Sequence, residues 1–426
     1  MMKVNVGKLF GGDKTLWIIF VLLGLISLLV VYSSTASLVY ARSEINTWRE
    51  LLGQLRFIVG GLLIVWLVHF IDIENYNRYA RLLFLLSIVA MLLVFVPGIG
   101  QKINGAYRWI KIPVIGVTFQ PSDFLKFSVM FILAQELAVR QKVIDKVKLL
   151  PSFIPGDWRK GKRRKKQLDI LRTQTLPILF PVAMACGTIL IFNFSTAALL
   201  FMTCLLMLII GRVKGREIIR LLFVIIVSLV LVIGAMKALG IGRADTWLSR
   251  LGIGDTPQTE QAASVRTTGG EYDQVEQAKI AIASGGLVGK GPGNSTQRTH
   301  LPLPYSDFAY AFITEEYGLV GALVVMLLYL WLFANTVMVS RKCNTAFPNF
   351  LVLGLGLMIV MQAMTNMAVA VDIAPTTGQP LPLVSKGGTS IIFVSMAMGV
   401  IIGVSRQLEE KEKALKRVEQ EEHGEE

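Results

Sequence analysis

A single carboxylate, Asp307, stands in Tyr305-Ser306-Asp307-Phe308, where a long polar segment gives way to an apolar one. A carboxylate held against a hydroxyl can take its proton as a general base. The same residue also suits the start of a helix, because Asp side chains accept hydrogen bonds from the first free backbone N–H groups. Three other places combine ionisable groups with apolar sequence: Arg108-Trp109, the segment Gln120-Pro121-Ser122-Asp123-Phe124-Leu125-Lys126, and Lys386. Asp123 and Lys126 are three residues apart, so on a helix they share a face and can pair. A charge at the centre of a membrane helix costs at least ~2.5–3.5 kcal/mol, so such groups face a polar cavity or a partner. A structural pair just inside the outer interface is the blander alternative. Arg108 and Trp109, taken alone, fit an interfacial belt. Lys386 belongs to the stretch 374–390, whose three prolines and three glycines forbid a regular helix. Irregular backbone at a membrane face must be buried in protein or line a watery cavity.

These residues need a scaffold, and the composition names its class. The 426 residues are 53% hydrophobic and only 17% charged, with mean hydropathy +0.58, which excludes an ordinary soluble protein. The apolar residues fall into blocks near the ~20 residues that cross a bilayer as a helix. Ten are predicted, at 15–34, 57–74, 81–98, 121–139, 175–193, 196–212, 219–239, 317–340, 349–371 and 388–405. The short alternating segments of a β-barrel are missing. The expectation is an all-α polytopic membrane protein: one ten-helix domain over 1–406, a large extracytoplasmic loop at 240–306 between helices 7 and 8, and a charged cytoplasmic tail at 407–426.

Charge sets the orientation. The segment 140–174 carries twelve Lys and Arg against three Asp, which marks it as cytoplasmic. The segment 240–306 balances six basic with six acidic residues and faces outward. An even number of spans then puts both termini inside. The basic run 159–166, lying between two spans, suits anionic lipid headgroups rather than nucleic acid. The start, Met1–Lys14, reads as an uncleaved anchor. Cys186, Cys204 and Cys343 form no external disulfide framework and show no metal spacing.

Within the outer loop, 283–296 is rich in glycine and includes Gly289-Lys290-Gly291. It lacks the spacing of a nucleotide-binding loop, so a tight lining loop is the better reading. His300 has no second ligand nearby. Glu315 and Glu316, near the start of span eight, are expected to favour the helix dipole or to pair with loop arginines.

In this order the segments resemble the SEDS family, the RodA, FtsW and SpoVE group of cell-wall polymerases. The resemblance covers essentially the whole chain. It rests on Gly105-Ala-x-Arg108-Trp109, Gln120-Pro-Ser-Asp-x-x-Lys126, Gly285 to Asp307-Phe308, Glu315-Glu316-x-Gly318, and Pro375-Thr-Thr-Gly378 through Ser390. Gly293-Asn294-Ser295-Thr296-Gln297 looks more like the FtsW branch. The chain departs from the family pattern at Leu303, Tyr305 and Ser306, where Glu, His and Thr are usual, and at Asp123, where Glu is usual. It departs again at Phe192-Asn-Phe-Ser-Thr-Ala197 and at Lys386, which replaces Tyr.

The resemblance implies a peptidoglycan glycosyltransferase of the bacterial cytoplasmic (inner) membrane, acting in cell division or elongation. Its substrate would be lipid II and its partner a class B penicillin-binding protein, alongside other divisome or elongasome membrane proteins. Asp307 takes the family's catalytic position, with Arg108, Trp109, Gln120, Ser122, Asp123, Lys126 and Lys386 as substrate-binding residues. An acceptor hydroxyl would displace a lipid pyrophosphate in one inverting step. That leaving group needs charge stabilisation rather than a protonated acid. No cofactor is required by the motifs, and a divalent Mg or Mn ion would be the one to share the work. A lipid II flippase would use the same cavity without a base, and a non-catalytic division scaffold would use the basic loop and tail.

Overall fold

The computed structural model describes residues 10–36, 47–103, 106–111, 118–147, 149–150, 169–238, 271–297 and 307–424. The basic run 159–166, His300, Leu303, Tyr305 and Ser306 lie outside the described residues. Helices α1 (Lys14–Ala36), α2 (Thr47–Val68) and α3 (Ile73–Leu93) come first. Three short antiparallel strands follow, β1 (Gly100–Ile103), β2 (Ala106–Lys111) and β3 (Thr118–Phe119), in that spatial order. β3 runs through Gln120 into α4 (Pro121–Arg140), whose first-turn proline needs no N–H donor. Then come α5 (Leu176–Leu190), α6 (Phe194–Ile210), α7 (Gly215–Ala238) and α8 (Glu271–Gly285). The last three are α9 (Ala309–Arg341), α10 (Ala346–Ala370) and α11 (Gly388–Gly424).

Each expected span has a helix at its position. Seven described helices are long and apolar enough to cross a membrane: α1, α2, α3, α5 with its preceding turn, α9, α10 and α11. α6 is apolar but shorter, and α4 carries Asp123, Lys126, Glu136 and Arg140. Two boundaries differ from the hydropathy reading. α2 begins at Thr47 and ends at Val68, and α3 runs over Ile73–Leu93, against expected spans of 57–74 and 81–98. The cause is charge at the helix starts, Arg49, Glu50 and Arg56 in α2 and Glu74, Arg78 and Arg81 in α3: it lowers hydropathy without interrupting the backbone ladder. The expected tail at 407 is not a structural break either, because α11 continues to Gly424, with Lys416 Nζ 2.7 Å from Glu412 one turn earlier. The small sheet and α8 are additions to the expected architecture.

α10 is the central helix, packed on α4, α6, α9 and α11. Glycines allow this closeness: a Cβ on Gly356 would stand 2.4 Å from Thr336 Cγ2 of α9. In a membrane, close backbone approach through small residues takes the place of the hydrophobic driving force between helices. One end of the bundle joins the start of α1 and the start of α3 to α11. Asp13 N donates to Ser405 Oγ at 3.1 Å, Ile73 N to Gln407 Oε1 at 3.3 Å, and Gln135 Nε2 to Asn77 O at 2.9 Å. The sheet, the start of α4 and the start of α9 lie at the opposite end. Gly356→Val should lower the thermal midpoint of the detergent-purified protein, by an overpacking cost of about 1–3 kcal/mol. Gly60→Ala, at a position with nothing within 4 Å, should leave the midpoint unchanged or raise it; equal behaviour of the two variants would contradict the α9–α10 packing.

Candidate functional site

The second turn of α4 delivers a buried ammonium. Lys126 Nζ lies 2.8 Å from Asp123 Oδ1, 3.1 Å from Gln362 Oε1 and 3.0 Å from Gln379 Oε1. An ammonium has three donors, so all three are met by protein acceptors. The two amides are committed in turn: Gln362 Nε2 donates to Pro380 O at 2.9 Å and Gln379 Nε2 to Thr196 Oγ1 at 2.8 Å. Lys126 thereby joins α4, α10, α6 and the irregular segment 371–387.

The network reaches Asp307 through one residue. Asn366, buried on α10 one turn beyond Gln362, donates from Nδ2 to Asp307 O at 2.7 Å and to Gln379 O at 2.8 Å. The N-cap position of α9 is Phe308, with Asp307 one residue before it. Gly378 lies against the carboxylate, since a Cβ there would stand 3.7 Å from Asp307 Oδ2. Its φ of +59° is left-handed, which suits glycine. The surrounding segment is fixed from several sides: Ser195 Oγ donates to Thr376 O at 3.3 Å, Tyr329 OH to Pro382 O, and Leu381 N to Ser385 Oγ at 2.8 Å. Side chains thus satisfy this irregular backbone, as burial in a membrane protein demands.

Arg108, Gln120 and Ser122 line one small cavity together with Asn193. Gln120 Nε2 donates to Ser122 Oγ at 3.0 Å, and Asn193 Oδ1 caps α6 by accepting from Ser195 N at 3.1 Å and Thr196 N at 3.3 Å. Trp109 pairs with Gln101 across the sheet, and the register shifts there so that Arg108 is an extra residue of β2, a bulge. Lys386 forms an ion pair with Glu50 of α2. The structure thus brings Asp123 and Lys126 into one network with Asp307, sets Arg108, Gln120 and Ser122 together at the start of α4 on a cavity whose lining does not include Trp109, and pairs Lys386 with Glu50. Among the described residues no group of three or more His, Cys, Asp or Glu is arranged to hold a metal.

The two glutamates of α9 do more than the dipole reading allowed. Both are fully buried. Glu315 accepts from Lys290 Nζ at 2.7 Å and from Thr296 N at 2.9 Å, and also from Ser295 Oγ. Glu316 accepts from Ser33 Oγ at 2.6 Å and from Gly293 N at 3.0 Å. The expected partner was a loop arginine. The actual partners are a lysine, hydroxyls and loop backbone. α9 breaks at Gly318 (φ 67°, ψ −169°), and the glycine loop fills the break. Lys290 N and Gly291 N donate to the carbonyls of Glu315 and Glu316 at 3.0 and 2.9 Å, and Leu319 N donates back to Gly286 O at 2.9 Å. A Cβ on Gly289 would stand 2.2 Å from Glu316 O, so the loop needs glycine there. The residues missed from sequence are amides and hydroxyls: Gln362, Asn366, Gln379, Thr196 and Asn193. Their available signal was spacing, since Gln362 and Asn366 sit four apart on one face of an apolar helix.

Comparison with known proteins agrees with this fold. A family model for FtsW, RodA and SpoVE, described as a cell cycle protein, matches residues 13–410. The probable peptidoglycan glycosyltransferase FtsW of Coxiella burnetii is 29% identical over 398 residues, 92% of this chain and 96% of that protein. Stage V sporulation protein E of Bacillus subtilis is 28% identical over 396 residues, 92% of this chain and 97% of that protein. Among solved structures, a chain of a peptidoglycan synthase complex studied for the coordination of polymerization and crosslinking aligns with a TM-score of 0.65 at 20% identity, covering 93% of this chain and 98% of that one. The rod shape determining protein RodA of Thermus thermophilus aligns with a TM-score of 0.57 at 20% identity, covering 93% and 97%. The structural likeness establishes the all-α polytopic fold. With its match across nearly the full length, the chain belongs to the FtsW/RodA/SpoVE family.

Proposed function

We propose that this protein is a peptidoglycan glycosyltransferase that polymerises lipid II on the outer face of the cytoplasmic membrane, with Asp307 as general base. The observation that carries this reading is the placement of Asp307. It stands at the mouth of α9, one residue before the N-cap, with its backbone fastened through Asn366 to the Lys126 network and Gly378 close against its carboxylate. The family, and relatives called probable peptidoglycan glycosyltransferases, support the reaction class. The acceptor sugar's 4-hydroxyl gives its proton to the Asp307 carboxylate and attacks the donor's anomeric carbon. The bond to the lipid pyrophosphate breaks on the opposite face, and inversion leaves a β linkage. A positioned base contributes roughly 10²–10⁴-fold.

Arg108 is the cation set to meet the developing pyrophosphate charge, with Gln120 and Ser122 beside it. Lys126, whose three donors are engaged, acts as a buttress that holds Asp123, Gln362 and Gln379 in place. Lys386 would have to leave Glu50 to bind substrate. A Mg or Mn ion that takes part would enter on the pyrophosphate rather than in a cage of protein carboxylates. The likeness to a chain of a peptidoglycan synthase complex supports assembly with a crosslinking class B penicillin-binding protein. The charge of 140–174 supports cytoplasmic termini in the inner membrane, and Gly293–Gln297 favours the septal branch.

Purified protein with its transpeptidase partner should polymerise lipid II, and Asp307→Asn should lose roughly 10²–10⁴-fold of that rate. Equal product from both proteins would eliminate the base, while lipid transfer between leaflets that survives the substitution would point to a flippase. A protein that binds division partners and does neither would be a scaffold. The two cations should separate by readout. Lys126→Met strands Asp123 and should cost about 3–5 kcal/mol of stability, partly recovered by adding Asp123→Asn. Arg108→Ala should keep the thermal midpoint and lower kcat/KM for lipid II; the reverse assignment of effects would exchange the two roles.

A further inference from the structure

A second cavity lies away from Asp307. It lies at the opposite end of the bundle, between the C-terminal ends of α6 and α9 and the start of α10, with a volume of about 410 Å³. Its polar lining is Arg212, Arg341, Gln141, Asn349 and Ser340, and no acidic residue lines it among those described. Ile210, Val337, Phe350 and Leu353 form its apolar walls. Two cations over an apolar wall match an amphiphile with an anionic head.

Two details separate this place from a generic basic rim. The first is backbone. α6 ends in a Schellman turn: Arg212 N donates to Ile209 O at 3.0 Å and Val213 N to Leu208 O at 3.1 Å. The position that must then be left-handed, normally glycine, is Arg212, at φ 64°. Gly211, one residue earlier, keeps a right-handed conformation (φ −64°). The chain thus places a long cation at the position least suited to it, at the rim of the cavity. The second detail is an unmet amide. Gln141 Oε1 is buried without a hydrogen-bond partner. Since amide O and N are interchangeable by a flip, this side chain can present donors to an anion.

We propose that this cavity binds the phosphate of an anionic phospholipid, with Arg212 and Arg341 on the headgroup and the apolar walls on the first part of an acyl chain. Its two arginines are not those of the basic run 159–166, and it stands at the end of the bundle where Asp13 meets Ser405. The full-length protein, delipidated and placed in phosphatidylcholine nanodiscs doped with phosphatidylglycerol, tests this by native mass spectrometry and thermal melting. Wild type should retain phosphatidylglycerol and melt higher as its content rises. Arg341→Gln should weaken that retention about tenfold, the loss of one charge-assisted contact. Arg212→Gly should lose it similarly while melting no lower than wild type without the lipid, because glycine relaxes the turn. That variant separates a binding role from a structural one. Equal phosphatidylglycerol retention in wild type and both variants would overturn the site, as would equal stabilisation by phosphatidylcholine alone. Reproduction of the shift by inorganic phosphate at the same concentration would overturn the lipid as its source.

Discussion

A buried ammonium needs three acceptors, and in a membrane no water supplies them. That requirement at Lys126 organises this molecule. Asp123, Gln362 and Gln379 meet it, and each brings another segment along: α4 itself, the central helix α10, and the irregular stretch that follows α10. The amide ends of the two glutamines extend the demand to Pro380 and Thr196. A cation that is costly alone becomes a junction when every donor is directed. The segment 371–387, which the prolines keep from forming a helix, acquires a defined path because its carbonyls are the acceptors still required.

The glycine loop 285–297 obeys the same rule from the other direction. Here the buried charges are anions, Glu315 and Glu316, and the donors are backbone N–H groups, hydroxyls and Lys290. Gly318 breaks the ladder of α9, which leaves carbonyls and N–H groups for the loop to use. The helical piece between Asp307 and Gly318 is consequently anchored at both ends, by Asn366 at its start and by the loop at its break. A long polar segment can thus be mounted on a membrane helix without exposing unpaired backbone to lipid.

Much of this was legible in the sequence because hydropathy and charge act over long stretches. The positions of the spans, the pairing of Asp123 with Lys126 and the prominence of Asp307 follow from residue type and spacing alone. The helix starts of α2 and α3 were misplaced because Arg49, Glu50, Arg78 and Arg81 depress an average that a helix does not consult. Glu315 and Glu316 read as dipole-favouring groups or partners of loop arginines because sequence does not show that a glycine loop would return to them from some twenty residues earlier. Lys386 looked like a substrate cation, and its partner Glu50, 336 residues away, could not be seen. The amides of α10 were overlooked for a related reason: Gln362 and Asn366 are polar but uncharged, and their meaning depends on what faces them.

Asn366 holds Asp307 by its main-chain carbonyl. Every amino acid has that carbonyl. The location of the residue is therefore specified by backbone, while its reactivity is specified by side chain, and the two are separable. A chemist can exchange the acid for an amide, a thiol or a longer acid at 307 and expect this tether to remain, so that the mouth of α9 serves as a fixed mount on which different functional groups can be compared.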